Sequence, residues 1–229
     1  MKLGRLMMEY GFTHRSFELL EGLETNNEKA WYTEHKNDFE THLRIPFALL
    51  LEWVTECLAD TDVPLMGSAK TMFRQNRDVR FSKDKSPYST FVGGLLTPSG
   101  TKAEKDGVLY AQLNSSGGML ACGFYKFKAA DLAQIRDRIV EEPDEFSQVL
   151  QGLENAGLSL NEDDTLSSMP RGYQDQKDHV HGDYLKLKSF IVQMPLLRQA
   201  WLDSQVVERM VTLAKGCAPL LEFGRSSDE

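Results

Sequence analysis

Positive side chains cluster between residues 74 and 88, and this cluster is the part of the sequence best suited to chemistry. The segment holds five basic and two acidic residues, a net charge of +3 in a chain of net charge −8, so the rest of the chain sums to −11. The planar guanidinium of arginine can bind a phosphate or a carboxylate through two parallel hydrogen bonds, and lysine adds a mobile point charge. The cluster therefore predicts either an anion-binding site or one part of an internal network of salt bridges.

Basic residues from three regions are candidates for binding such an anion: Arg77, Arg80, Lys83, Lys85, Arg171 and Lys186. Asp78 and Asp84 are the candidates for a base or an orienting group. Each charge-assisted hydrogen bond to a bound anion contributes roughly 1.5–3 kcal/mol. We expect the ligand to be a small molecule that carries a phosphate or a carboxylate, and the sequence leaves open whether it is turned over.

The 77–88 segment has the pattern of a strand that runs into a turn. In an extended chain Arg77, Val79 and Phe81 point to one side, so we expect Phe81 to anchor the segment in the core. Residues 82–87 are prone to turn, because serine and aspartate side chains bond nearby backbone N–H groups. In the alternative interpretation the charges pair internally and the segment pins the sheet to the helices, or it forms a surface for another protein.

A second candidate site consists of His179, His181 and Asp183, which alternate in a polar stretch. In an extended strand their side chains would share one face and would suit a metal ion. Short alternations of this kind are common, and a polar loop or cap is the simpler interpretation, so we predict no metal site. His35 lies four residues after Trp31 on a predicted helix, and we expect it to be a packed side chain.

Common catalytic and cofactor motifs are absent from the sequence. It contains no P-loop and no G-x-G-x-x-G, G-x-S-x-G or H-E-x-x-H pattern. No histidine adjoins Ser82, Ser86 or Tyr88 to activate a hydroxyl. We therefore predict no cofactor, and the sequence does not decide whether the protein is an enzyme.

Charge and cysteine content restrict the partners and the compartment. A net charge of −8 argues against nonspecific binding of nucleic acid, which needs a broad cationic surface. Three isolated cysteines without a C-x-x-C pair are typical of a reducing compartment. The most apolar run, residues 45–54, is interrupted by Pro46 and Glu52 and is too short to span a bilayer. We predict a cytoplasmic protein without a nucleic-acid or membrane partner, and its oligomeric state stays open.

Helical patterns occupy both ends of the sequence. Thr13 or Ser16 precedes the periodic residues of a first helix, and Thr25 with Glu28 offers a capping box for a second. Pro46 marks the start or a kink of a third helix that continues to about residue 60. Further helices are predicted over residues 129–140, 143–156 and 199–215.

The central part has the composition of short strands. β-branched and aromatic runs alternate there with clusters of turn-forming residues, which predicts an antiparallel meander of roughly three to five strands. The runs cover residues 72–74, 79–81, 88–96, 108–113 and 119–127, with a further strand at 185–194 and short pieces at 158–160 and 166. The order predicts an α+β fold, with a central, mainly antiparallel sheet and N-terminal and C-terminal helices packed on it.

The string R-D-V-R-F-S-K-D-K-S-P-Y at residues 77–88 resembles the hallmark of a widespread bacterial and fungal family of conserved proteins, a domain of unknown function. Further elements that resemble this family lie at residues 26–27 with 31–32, 35–36, 123–125, 135–139, 169–173 and 184–189. The sequence departs from the family pattern at Ser89, where lysine is frequent, and at Val180, where proline is frequent.

The resemblance also bears on domain organisation. It implies a single domain over residues 1–229, in which about 12–195 match the family and 196–229 form a closing helix and a disordered acidic tail. It implies no particular reaction, substrate or cofactor.

Overall fold

An antiparallel sheet of four strands lies at the centre of the residues that the computed structural model describes, which are 11–103, 106–126 and 128–225. The strands are β1 (Phe91–Leu96), β2 (Val108–Asn114), β3 (Gly117–Phe124) and β4 (Phe190–Leu197). They lie in the order β1-β2-β3-β4, and every neighbouring pair is antiparallel. The number and direction of the strands agree with the predicted meander.

Alternating burial gives the sheet one covered face and one open face. In β2 the side chains of Leu109, Ala111 and Leu113 are buried, whereas those of Tyr110 and Gln112 are partly exposed. Successive strand residues point to opposite faces, so this period of two separates core positions from surface positions. Helices from both ends of the chain pack against the sheet, while the face that carries Tyr110 holds a cavity.

The helices that precede the sheet are α1 (His14–Thr25), α2 (Lys29–Phe39) and α3 (Ile45–Leu58). Ser16 closes the start of α1, because its hydroxyl accepts the N–H of Thr13 at 3.1 Å. One π-helical turn, Glu40–Arg44, joins α2 to α3. Pro46 occupies the first turn of α3, as predicted, where its missing N–H has no helical partner to lose.

The predicted capping box at Thr25 and Glu28 is wrong. Thr25 is the last residue of α1, and α2 begins at Lys29. Asn27, between the two helices, exchanges two hydrogen bonds with the backbone of Tyr88, at 2.9 and 3.0 Å. The turn is therefore held by a residue 61 positions away along the chain, which local spacing does not reveal.

The remaining helices are α4 (Ala129–Glu141) and α5 (Pro143–Asn155) between β3 and β4, and α6 (Arg198–Leu202), α7 (Gln205–Gly216) and α8 (Ala218–Phe223) after β4. Gly157 follows α5 in the left-handed conformation, with φ 70°, as expected of a glycine that ends a helix. The closing helix predicted over 199–215 is divided in two, because Ser204 adopts φ 60° between α6 and α7.

Several short apolar runs that were predicted as strands lie outside the sheet. Among the described residues, the strands predicted at 72–74, 79–81, 158–160 and 166 are wrong, and isolated bridges pair Met72 with Gly94 and Thr165 with Leu187. Single side chains in such runs are buried, as Leu160 is, without a neighbouring strand that would extend the ladder. β4 begins at Phe190, later than predicted.

The fold class is α+β, as predicted, with helices from both ends of the chain packed on an antiparallel sheet. No helix among the described residues is long and apolar enough to cross a membrane. The predicted acidic tail, residues 226–229, lies outside the described residues.

Candidate anion-binding site

The 74–88 segment forms an irregular loop whose base is tied to the N-terminal helices. A single bridge pairs Asn76 with Tyr88, and the ring of Tyr88 stacks on that of Tyr32 with centroids 4.1 Å apart. Tyr88 is buried, and Asn27 binds its backbone on both sides. The base of the loop thus joins the sheet to the turn between α1 and α2 through uncharged contacts.

Two arginines of the 74–88 loop are paired within the loop itself. Arg77 forms an ion pair with Asp84 and donates to the carbonyl of Ser86 at 3.0 Å. Arg80 forms two hydrogen bonds with the carboxylate of Asp78, at 3.0 and 2.7 Å. The loop therefore neutralises two of the positive charges that its composition adds.

The tip of the 74–88 loop faces solvent. Lys85 donates to the carbonyl of Val79 at 3.0 Å, and Lys83 is exposed and forms no ion pair with a described residue. Phe81 is 95% exposed, so the expectation that it anchors in the core is wrong. The segment pairs at the single bridge between Asn76 and Tyr88 and does not continue as a strand. The alternation of side chains that would bury Phe81 is therefore lost.

Asp84 organises the tip of the loop. Its carboxylate accepts the Ser86 hydroxyl at 2.6 Å and the Ser86 N–H at 2.9 Å, and it also faces Arg77. The hydrogen bonds from Ser86, followed by the Arg77 guanidinium, lower the pKa of Asp84 to about 2. Because this pKa lies below the ordinary value of about 3.9, Asp84 stabilises the fold above that value. The contribution is lost as the pH falls through about 2.

Replacing Asp84 with asparagine should remove part of the acid sensitivity of the protein. We expect the wild type to be more stable than Asp84→Asn above about pH 4, and the difference to shrink as the pH falls toward 2. Urea unfolding at neutral pH and at several acid values measures it. Asp60→Asn removes an exposed carboxylate and is the matched control. A difference between wild type and Asp84→Asn that does not change with pH would contradict the prediction.

A second group of cations surrounds a cavity of about 600 Å³ beside the ends of β3 and β4. We call this cavity the basic pocket, and its charged and hydroxyl-bearing lining residues are Lys126, Arg136, Arg171, Lys188, Asp164, Ser167 and Ser168. Four cations and one carboxylate leave a net charge of +3 on the lining. The basic pocket is thus a concave positive region in a chain of net charge −8.

Arg136 is the buried charge of the basic pocket. It lies on α4, is 6% exposed, and donates at 2.8 Å to each of the backbone carbonyls of Leu185 and Leu187. It forms no ion pair with a described residue. Burial lowers the pKa of the Arg136 guanidinium, yet arginine stays protonated in proteins. Carbonyl dipoles offset little of the cost of burying a positive charge. An anion bound in the cavity would stabilise that charge further.

The other three cations of the basic pocket lie nearer to solvent. Arg171 is exposed, and its side chain has no hydrogen bond or ion pair with any residue that the structure describes. The Lys126 ammonium lies 5.0 Å from the centre of the Tyr125 ring. Lys188 binds the carboxylate of Asp164 at 2.6 Å. Arg171 is therefore available to a ligand, whereas Lys126 is engaged by the side chain of Tyr125 and Lys188 by Asp164.

The first turn of α4 adds backbone donors to the basic pocket. Ala129, the first residue of this helix, lines the pocket, and no side chain caps the helix start. The first N–H groups of a helix have no intrahelical partner, and the positive end of the helix dipole favours anions. Together with the four cations and the hydroxyls of Ser167 and Ser168, these groups can bind and orient a phosphate or a carboxylate.

The structure separates the predicted anion ligands. Arg171 lies in the basic pocket, whereas Lys186 does not line it and is paired with Asp183 at 2.8 Å. Within the described ranges, the loop residues predicted with them share neither a contact nor this cavity with Arg171: Arg77, Arg80, Lys83 and Lys85. The candidate orienting groups Asp78 and Asp84 are likewise engaged inside the 74–88 loop.

Sequence reasoning missed Lys126, Arg136 and Lys188 as site residues. Each has only one further cation two positions away, Lys128, Arg138 and Lys186 respectively, so the local density of charge is much lower than in the 74–88 segment. One signal was present: Arg136, Arg171 and Lys188 fall within the segments that resemble the family, and Lys126 directly follows another. Only the fold shows that these four positions surround one cavity.

The ring of His179 accepts the backbone N–H of His181 on its Nδ1, at 3.1 Å. The stretch forms turns and not a strand, so alternation does not place the side chains on one face. His181 is buried, and its Nε2 lies 2.9 Å from the hydroxyl of Ser147 and 3.0 Å from the carbonyl of Pro143. Asp183 is engaged by a lysine. Across 11–103, 106–126 and 128–225, no three His, Cys, Asp or Glu side chains are grouped so as to hold a metal ion.

A family model described as conserved hypothetical protein (DUF2461) matches residues 15–223. This span includes the 74–88 loop, every residue of the basic pocket and the C-terminal helices. Neither the search of curated proteins nor that of solved structures found a significant match.

Proposed function

The chain belongs to the DUF2461 family of conserved hypothetical proteins, and on that premise we propose that it binds a small phosphate- or carboxylate-bearing molecule in the basic pocket. One observation carries this proposal. Arg136 is a cation that is 6% exposed, lines the cavity and contacts two carbonyl oxygens but no described carboxylate. A bound anion would supply the negative charge that no described residue places beside Arg136.

The surrounding groups define the kind of ligand. The net charge of +3 on the lining suits a dianionic phosphate or a molecule with several carboxylates. The cavity volume of about 600 Å³ lies in the usual range for small-molecule sites. Two charge-assisted hydrogen bonds of roughly 1.5–3 kcal/mol each correspond to a dissociation constant on the order of 0.1–10 mM for phosphate alone. The lining supports binding, and the proposal includes no reaction.

Titration with inorganic phosphate tests the proposal and distinguishes the two cationic regions. We expect calorimetry at low ionic strength to show saturable binding to the wild type, and at least about tenfold weaker binding to Arg171→Gln. Arg80→Gln is the matched control, because Arg80 is an exposed arginine of the 74–88 loop that is paired with Asp78. It should bind phosphate as the wild type does.

Two results would count against the basic pocket. Weakened binding in Arg80→Gln with unchanged binding in Arg171→Gln would place the anion at the 74–88 loop, as the sequence alone predicts. The absence of saturable phosphate binding by the wild type at millimolar concentrations would contradict the proposed function itself.

A second candidate function is noncatalytic, and the ion pairs of the 74–88 loop favour it. In this function the protein is a structural or interaction protein whose loop charges hold the loop together. Arg77 with Asp84 and Arg80 with Asp78 are the pairs that support it. The pH-dependent stability of Asp84→Asn, described above, measures how much such a pair contributes.

We place this function in the cytoplasm, with no nucleic-acid or membrane partner and no cofactor. The free cysteines Cys57, Cys122 and Cys217 support a reducing compartment. A net charge of −8 works against long-range attraction to nucleic acid or anionic lipid.

A further inference from the structure

The open face of the sheet carries a second cavity, of about 630 Å³. Part of its floor is the middle of β3, where Ala121 and Gly123 present almost no side chain. Phe73 and Tyr110 line one side with ring centroids 6.1 Å apart, and Tyr125, 55% exposed, also lines the cavity. We call this cavity the aromatic slot.

The aromatic slot has no net charge: Lys102 and Asp106 are one cation and one carboxylate among its lining residues, and the other polar groups are neutral. The Tyr110 hydroxyl donates to the side-chain carbonyl of Gln112 at 2.7 Å. Burial raises the pKa of Tyr110 to about 12, so this phenol stays protonated at neutral pH. Among the described residues, the amide of Gln193 reaches the sulfur of Met119 alone, at 3.7 Å, and this sulfur is a weak acceptor. The slot therefore offers aromatic rings and the amide donors of Gln112 and Gln193.

At the shared end of β3 and β4, consecutive residues of the chain line the aromatic slot and the basic pocket. Tyr125 lines the slot, and the next residue, Lys126, lines the pocket, with its ammonium 5.0 Å from the centre of the Tyr125 ring. On the neighbouring chain segment, Ile191 lines the slot and Lys188 lines the pocket. The N–H of Lys126 donates to the hydroxyl of Ser189 at 3.0 Å, which holds the two segments together.

Resting on the proposed function, we propose that the two cavities form one composite site for an aromatic anion. The planar ring system of the ligand occupies the aromatic slot, and its phosphate or carboxylate occupies the basic pocket. A floor of strand backbone with small side chains admits a flat ring, and the rings of Phe73, Tyr110 and Tyr125 supply edge and face contacts. The lining of the slot has no net charge, which favours an uncharged ring and leaves the negative charge of the ligand to the pocket.

Calorimetry with matched probes tests the composite site: inorganic phosphate, 1-naphthyl phosphate and 1-naphthol. We expect the wild type to bind 1-naphthyl phosphate at least about tenfold more tightly than inorganic phosphate, because the ring is buried in addition to the same head group. 1-Naphthol alone should bind more weakly than 1-naphthyl phosphate, because it lacks the charged group.

Phe73→Ala should remove most of the preference for 1-naphthyl phosphate and leave the affinity for inorganic phosphate unchanged. Phe73 is 39% exposed and does not line the basic pocket. Phe81→Ala is the matched control, since it removes a phenylalanine that is 95% exposed on the 74–88 loop and should change neither affinity. Thermal unfolding of both variants verifies that they are folded.

The remaining outcomes distinguish a failure of the composite site from a failure of anion binding in the basic pocket. Equal affinities for inorganic phosphate and 1-naphthyl phosphate would overturn the composite site and leave the proposed function intact. Equal affinities for 1-naphthol and 1-naphthyl phosphate would also overturn it, because the slot would then act without the pocket. If neither phosphate bound, the proposed function and the composite site would both fail.

Discussion

Replacing Gly118 with alanine should lower the free energy of unfolding by about 4 kcal/mol or more, enough to unfold a marginally stable domain. Gly118 lies at the start of β3 with φ 126°, a conformation that costs a residue with a Cβ about 1–3 kcal/mol. A Cβ at this position would also lie 1.9 Å from the carbonyl oxygen of Gln112, a backbone atom that cannot rotate away. The alanine would therefore separate β2 from β3.

Gly157→Ala separates the two causes of this loss. Gly157 also has a positive φ, of 70°, but a Cβ there would meet nothing within 4 Å. We expect it to cost about 1 kcal/mol, the conformational contribution alone. Urea unfolding of both variants gives the two free energies. Similar losses in Gly118→Ala and Gly157→Ala would mean that the strands relieve the contact, and would contradict the prediction.

Replacing Arg136 with methionine should lower the free energy of unfolding by about 2–4 kcal/mol and abolish phosphate binding. Methionine keeps much of the aliphatic stem, but the carbonyls of Leu185 and Leu187 lose the donors that now reach them at 2.8 Å. A buried carbonyl without a partner costs about 1–3 kcal/mol. Urea unfolding with and without inorganic phosphate measures both effects.

Arg209→Met is the matched control for Arg136→Met. Arg209 also lies on a helix, but it is exposed, and among the described residues its guanidinium bonds the side chain of Gln205 alone, at 3.3 Å. Its replacement should change the free energy of unfolding by less than about 0.5 kcal/mol and leave phosphate binding intact. An Arg136→Met protein as stable as the wild type would show that water or a shift of the backbone satisfies the two carbonyls.

Much of the fold was accessible from local pattern. The apolar period of the first helix, the proline at the start of α3 and the glycine after α5 each act through backbone geometry within a few residues, and the structure agrees with all three. The α+β class followed in the same way from the order of helical and strand-like runs. The errors arose where a contact between residues distant in sequence sets the local conformation. One example is Asn27, whose side chain bonds the backbone of Tyr88.

The candidate site was much less accessible. The density of positive charge along the sequence indicated the 74–88 loop. In the structure, Arg77 and Arg80 form ion pairs with acidic residues of the same loop. Of the six predicted anion ligands, Arg171 alone lines the basic pocket within the described residues. Charge density along a chain shows how many cations are present, but not whether their carboxylate partners lie beside them.

By itself the sequence determined the α+β class, the approximate positions of most helices and of the four strands, and which residues carry charge. These properties depend on side-chain chemistry and on neighbours a few positions away. Only the tertiary structure decided which charges remain without a partner. Lys126, Arg136, Arg171 and Lys188 come from four separate segments, and the packing of α4 beside the ends of β3 and β4 brings them around one cavity. The stabilisation of a positive charge depends on its distance in space from a negative group, and the fold alone sets that distance.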